Sequence, residues 1–490
     1  MNAALVIIFA TMLLSIFLGI RAKKGKDMDL EQWSVGGRGF GSVLVFVLMA
    51  GEIYTTFTFL GGSGWAYSKG GPTYYIISYG ALAYIMSYFL LPKIWRYAKD
   101  NKLVSQSDFF VSKYNSPYLG ILVSLVGFVA MIPYFVLQLK GLGIIVSEAS
   151  YGHISPTVAI WIGIIVVTVY VMVSGIHGSA WTAVAKDILI LVVVLFLGIY
   201  LPHHYYGGIQ PMFEAIDSAK AGFLSLPDSG QSSSWFVTTV LLTALGFYMW
   251  PHTFGSIYSS QGEKAFRKNA IFMPLYQLVL LFVFFVGFAA IMQVPTLTGA
   301  DTDLALLRLS IQTFDPWVVG IIGAAGILTA LVPGSMILMA AATLLAKNVY
   351  KVLRPSATDK QVTSMARYLV PVVAIISLIV TFNGGGTLVA LLLMGYSLVT
   401  QLFPTLLFSL MKNNFVTKQG AFAGIIAGVA TVTYVTVSGT TVGTLFPFLP
   451  QAIKDFNVGI IALIINLVVL TVVSLATRPV TVLKTKSNQA

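Results

Sequence analysis

No cysteine occurs among the 490 residues, which excludes disulfides, thiolate catalysis and cysteine-ligated metals. Histidine is scarce: the five residues are scattered without metal-ligand spacing, and the adjacent His203 and His204 are expected in a solvated turn. Charge is equally thin. Asp, Glu, Lys and Arg make up 9% of the chain, against about 25% in a soluble domain. No GxxxxGK[ST] phosphate loop is present, and no connection is long enough to fold a nucleotide-binding domain. Any pumping must therefore draw on an ion gradient or a partner. The first apolar segment starts at residue 3, lacks an A-x-A-like cleavage site and precedes the basic run RAKKGK. It is expected to be a retained helix rather than a signal peptide.

What is abundant is apolar sequence, 57% of the chain. It is gathered in runs of roughly 18–25 residues, bilayer-spanning length for a helix and too long and uniform for alternating barrel strands. The pattern predicts an all-α polytopic membrane protein with 13 spans, centred near residues 12, 55, 82, 128, 168, 192, 243, 282, 332, 375, 398, 429 and 467. Orientation follows the positive-inside rule. With the N-terminus outside and the C-terminus inside, about 24 of the 29 Lys and Arg fall inward, including Lys186, Lys484 and Lys486. Lys69, Lys140, Lys220, Arg308 and Lys454 stay outside. The net charge of +12 thus records topology rather than affinity for nucleic acid.

Two spans carry interruptions at membrane depth. Span 2 reads GEIYTTFTFLGGSG and span 7 reads LGFYMWPHTFG. They lie five spans apart, so they run in opposite directions, as inverted repeats require. Paired Gly/Pro-interrupted spans are the best sequence pointer to a transporter's central site, because each break frees backbone groups that can coordinate a solute or cation. Glu52 sits on the first break with no Lys or Arg within ten residues. Ionised and alone in lipid it would cost at least ~2.5–3.5 kcal/mol. Three roles are open to it: a structural partner for freed backbone, an ion- or proton-coupling group, or a substrate contact. Protonated, it can carry a coupling proton, since a carboxylic acid out of water favours its neutral form.

These residues resemble the sodium:solute symporter family, which has the leucine-transporter-like fold. The likeness covers nearly the whole chain and rests on EQWSVGGRGFG with Arg38, FLGGSGWAYSKG, SGIHGSAWTAVAKDILI, WPHTF followed by QGEKAFRKNA, NVYK and QLFP. Its monocarboxylate permease branch fits best, at GEIYTTFTF, at YMWPHTF and at the Lys186-Asp187 pair. The resemblance implies a core of two inverted five-helix repeats, residues 38–205 and 233–412. Residues 1–37 form an extra first helix and inner loop, 206–232 an outer loop, and 413–490 two peripheral helices and a short tail. It also implies a bacterial cytoplasmic membrane.

It further implies a Na+ site in which the carbonyls of Gly51 and Tyr54 are completed by paired hydroxyls from span 9. Counted back from NVYK, those hydroxyl positions fall on Val332 and Pro333, which carry none; Thr329 and Ser335 are the nearest replacements. The coupling ion is therefore Na+ or H+. No other cofactor is expected. Asp187 is expected to open span 6 at the inner face, stabilised by the helix dipole, with a further implied role in ion release. No Arg lies mid-span to clamp an anion. The candidate donors are half-helix N–H groups and the side chains of Tyr54, Thr55, Thr58, Tyr248, Trp250, His252, Tyr396 and Gln401. His252 is also open to capping span 7 at the inner surface.

The expected function is symport of a small organic solute, foremost a lactate- or pyruvate-type monocarboxylate; pantothenate, proline or another amino acid is the alternative. An enzyme would need clustered acid, base or metal residues at membrane depth, where Glu52 stands alone. A channel would need charge or carbonyl rings. A receptor would need an output domain larger than the tail RPVTVLKTKSNQA. The expected partners are the solute, the coupling cation and the lipid bilayer, with a small membrane partner left open.

Overall fold

A computed structural model describes residues 2–478. Lys484 and Lys486, counted on the inner side, lie outside the described residues. Ten helices are long and apolar enough to cross a membrane, and the bent pair Ser233–Met249 and Pro251–Tyr258 makes an eleventh. One of the ten, Pro156–Tyr206, has 51 residues. Straight, it would reach about 77 Å, more than twice the ~30 Å hydrocarbon core. It is not straight. Gly175 has φ 53 and ψ −149, and Tyr170 and Thr182 hydrogen-bond at 2.8 Å across it. Twelve residues along a straight helix would separate them by about 18 Å. The chain therefore folds back at Gly175, and one long helix is spans 5 and 6. Span 2, Ser42–Ala50 continued by Phe57–Lys69 after a non-helical break, completes the thirteen.

Span 9, Pro316–Leu353, is the central column. Of its most apolar stretch 94% is buried, against 33% for Ala3–Ala22, Lys418–Ser438 and Val458–Thr477, which pack at the rim. At one end of the bundle a single cleft gathers Lys23 and Lys26 after span 1, Lys102 after span 3, Lys347 and Lys351 at the end of span 9, and Lys360 at the start of span 10. The basic connections thus meet on one side.

Breaks and close approaches use different glycines. Gly61, Gly62 and Gly64 lie inside the helical second half of span 2. An added Cβ there would press on Leu388, on Phe284 and, at 2.7 Å, on the Thr302 carbonyl. They serve helix packing, and the break falls earlier, at residues 51–55.

Gly175 is the position most constrained. Its backbone is one that L side chains rarely adopt, and a Cβ would sit 2.5 Å from the Trp33 carbonyl oxygen. Gly175→Ala is expected to cost about 1–3 kcal/mol from backbone strain alone, with the clash added. A clear fall in unfolding midpoint in detergent checks this; an unchanged midpoint would refute the fold-back at that residue.

Candidate functional site

In span 2 the regular helix stops at Ala50, and Gly51 to Thr55 form turns before helix resumes at Thr56. Local hydroxyls hold the break. Thr58 Oγ1 donates to the Ile53 carbonyl at 2.6 Å and accepts from the Thr55 N–H at 3.0 Å, while Thr55 Oγ1 accepts from the Phe57 N–H at 3.2 Å. Thr56 Oγ1 donates to Gln138 of span 4 at 2.5 Å. Thr58, expected as a substrate donor, is thus committed to the backbone of the break, whereas Thr55 accepts there and keeps its own O–H.

Span 7 breaks at Trp250, whose extended backbone turns the helix by 53° before Pro251 starts the second half. That half carries Thr253 and Ser256 on one face, three residues apart. Thr253 Oγ1 donates to Glu52 Oε2 at 2.7 Å and Ser256 Oγ to Glu52 Oε1 at 3.2 Å. The carboxylate of one break is therefore gripped by the half-helix of the other.

The span 2 break also meets Lys186. It is fully buried, with Nζ 3.2 Å from the Tyr54 carbonyl oxygen and 2.9 Å from Asp187 Oδ1. This corrects three expectations. Span 6 begins just after Gly175, so Asp187 stands a dozen residues into the helix rather than at its N-terminus. Lys186 is a mid-bundle cation, not an inner-loop charge. Glu52 shares membrane depth with both, so it is not the lone ionisable group there.

The remaining residues separate into two groups. Trp250 packs against Tyr134 (4.7 Å between ring centroids) and Tyr396 (5.2 Å), and His252 lies 5.4 Å from Tyr134. Tyr248 belongs to the adjoining cluster through Phe247. His252 is buried at the start of the second half of span 7, where no side-chain cap bond is made. Among the described residues, both His252 ring nitrogens, Trp250 Nε1 and the Tyr248 hydroxyl find no hydrogen-bond partner. The other group is turned elsewhere. Gln401 bonds the carbonyls of Ser397 and Gly459 and accepts from Asn466, facing the peripheral spans. Tyr54 donates its hydroxyl to the Tyr276 carbonyl at 2.8 Å. Thr329 donates to Gly326, and Ser335 to Val332 while bonding Ser179.

Sequence reasoning passed over Lys186, Thr253, Ser256 and Tyr134. The i, i+3 spacing of Thr253 and Ser256 beside a predicted break was the available signal for two of them. For Lys186 it was a Lys-Asp pair inside the largely apolar run SAWTAVAKDILILVVV.

Two interrupted spans from opposite halves, touching at mid-bundle, are the arrangement of an alternating-access secondary transporter. Comparison with known proteins agrees. The sodium:solute symporter family model matches residues 33–428, and the chain belongs to that family. A Bacillus subtilis (strain 168) protein bearing the name uncharacterized symporter YhjB is 74% identical over 478 residues, 98% of each chain. The monocarboxylate transport permease protein of Rhizobium johnstonii is 29% identical over 435 residues, 87% of each chain. A Na+-coupled sialic acid symporter, solved in a substrate-bound outward-open state, superposes with a TM-score of 0.79 at 17% identity over 98% of each chain. The fold is thus the leucine-transporter-like one, built on two inverted five-helix repeats.

Thr253→Val removes the shorter of the two bonds to Glu52. The expected loss is about 1–3 kcal/mol, read as a lower unfolding midpoint, with a smaller loss for Ser256→Ala at the longer bond. Equal midpoints for wild type and both variants would show that the two breaks are not joined through Glu52.

Proposed function

We propose that this protein is a secondary active symporter that imports a small monocarboxylate of the lactate or pyruvate type, coupled to a Na+ or H+ gradient. It works by alternating access across a bacterial cytoplasmic membrane, with its N-terminus outside and C-terminus inside. The observation that carries the reading is the set of unpartnered, buried donors at the span 7 break: His252, Trp250 Nε1 and the Tyr248 hydroxyl. Buried polar groups are normally hydrogen-bonded, so donors left over beside a helix break are suited to a solute's acceptors. The aromatic faces of Trp250, Tyr134 and Tyr396 suit the apolar remainder of a small acid. The family supports symport, and the likeness to a monocarboxylate permease supports the substrate class.

In this reading Trp250 and His252 hold the carboxylate, with Tyr248 and Tyr396 beside them. Gly51, Tyr54, Glu52 and Asp187 form the coupling side. Glu52 links the two, because its partners Thr253 and Ser256 sit on the half-helix that starts at the solute donors. Movement of that half-helix on binding is felt at the span 2 break.

The test is uptake of labelled lactate and pyruvate into proteoliposomes, with Na+ and proton gradients imposed separately. Saturable uptake of one or both acids is expected, and Glu52→Gln is expected to lose gradient-driven accumulation. Trp250→Phe and His252→Ala are each expected to raise KM about tenfold or more, since a hydrogen bond to a charged group is worth about 1.5–3 kcal/mol. No uptake of either acid under any gradient, with uptake of pantothenate or proline instead, would replace the substrate class and leave the fold standing.

A further inference from the structure

We infer that the Lys186 ammonium is the resident cation of the span 2 break, standing where the family resemblance places Na+, and that the protein is Na+-independent. The inference rests on the transport reading above but not on which solute is carried.

The fit of Na+ to this site fails on each side. The Tyr54 carbonyl, one of the two expected backbone ligands, already accepts Lys186 Nζ at 3.2 Å. The ammonium is completely buried, and Asp187 is its counter-ion at 2.9 Å. On the span 9 side, Val332 is packed with Val47 and Ala183, so spans 2, 6 and 9 meet there through methyl groups. An added Cβ on Gly51 would lie 3.5 Å from Val332 Cγ1. A hard cation needs a shell of oxygens, and this wall offers carbon. Pro333 beside it brings no hydroxyl either. Thr329 and Ser335 do not stand at those two positions; their hydroxyls donate to the carbonyls of Gly326 and Val332, and Ser335 also bonds Ser179.

Electrostatics points the same way. An ion held about 2.4 Å from the Tyr54 oxygen would lie no farther than about 5.6 Å from the ammonium even on its far side. At that distance the ammonium repels a second cation, and its pairing with Asp187 leaves that carboxylate less free to serve a diffusible ion. What the break does need is a positive group for its freed carbonyl, and Lys186 supplies one on a tether.

The test uses purified full-length protein and needs no solute. Unfolding midpoints are compared in sodium, potassium and choline chloride at equal concentration. The wild type is expected to show the same midpoint in all three salts. The triple variant Lys186→Ala, Val332→Ser, Pro333→Ser, which removes the tethered cation and restores two hydroxyls, is expected to gain a rise in sodium alone. A sodium-specific rise in the wild type would overturn the inference, as would a folded triple variant with no sodium response. If the triple variant does not fold, the wild-type comparison still decides. Failure of the monocarboxylate assignment would show only in uptake and leave these midpoints unchanged, so the two failures are told apart.

Discussion

A lysine ammonium with no access to water is the constraint around which the centre of this protein is built. Burying an ion costs several kcal/mol even after relaxation, so Lys186 requires partners that hold their places. It has two, the Asp187 carboxylate and the Tyr54 carbonyl. In an unbroken helix the Tyr54 carbonyl would be taken by its own ladder. It is available because the helix stops at Ala50 and resumes only at Thr56. The break, in turn, would leave other groups bare, and the hydroxyls of Thr55 and Thr58 cover them. Span 2's interruption and span 6's lysine therefore each make the other tolerable.

The two breaks are related by position but differ in chemistry. Span 2 presents carbonyl oxygen and carboxylate, and is occupied by a cation and by hydroxyl donors. Span 7 presents indole and imidazole nitrogens with aromatic faces, and those nitrogens find no partner among the described residues. One side is suited to positive charge and the other to a small acid. Glu52 is the crossing point. Its backbone belongs to the first break and both of its side-chain bonds belong to the second. A change in either break must stretch or release those two bonds, which gives the pair a direct mechanical connection without a long pathway.

Much of this was legible in the sequence because membrane helices announce themselves by length and apolarity. All thirteen spans, and the interruptions in spans 2 and 7, follow from those rules. What escaped did so for definable reasons. Charges in membrane proteins usually mark span ends, so the Lys186-Asp187 pair reads as a boundary, and span 6 reads as starting there. The true boundary is Gly175, a single glycine whose left-handed backbone no composition rule distinguishes from a packing glycine. The same ambiguity, in reverse, drew attention to Gly61, Gly62 and Gly64, which only allow close approach. Gln401 illustrates a different limit. A polar residue in an apolar helix must bond something, but periodicity does not say which neighbour, and here it is the peripheral span bearing Asn466. Missing oxygens were easier to read than misplaced ones: Val332 and Pro333 already argued against a hydroxyl-lined ion site before any geometry was known.

A tethered cation differs from a diffusible one in its mechanics. A bound Na+ ties a broken helix to its partner only while the ion is present, so the tie is made and broken in each cycle. The Lys186 bond to Tyr54 persists as long as span 6 stays packed on span 2. Spans 2 and 6 are then favoured to move as one body. Toward span 9 the contact is Val332 against Val47 and Ala183, with one hydrogen bond between Ser335 and Ser179. The apolar part of that contact lacks direction, whereas paired hydroxyls on an ion would hold one geometry. Carbon in place of oxygen on span 9 and a lysine on span 6 are therefore complementary features of one site. The link of the break to its surroundings then runs to span 6 through Lys186 rather than to span 9 through an ion.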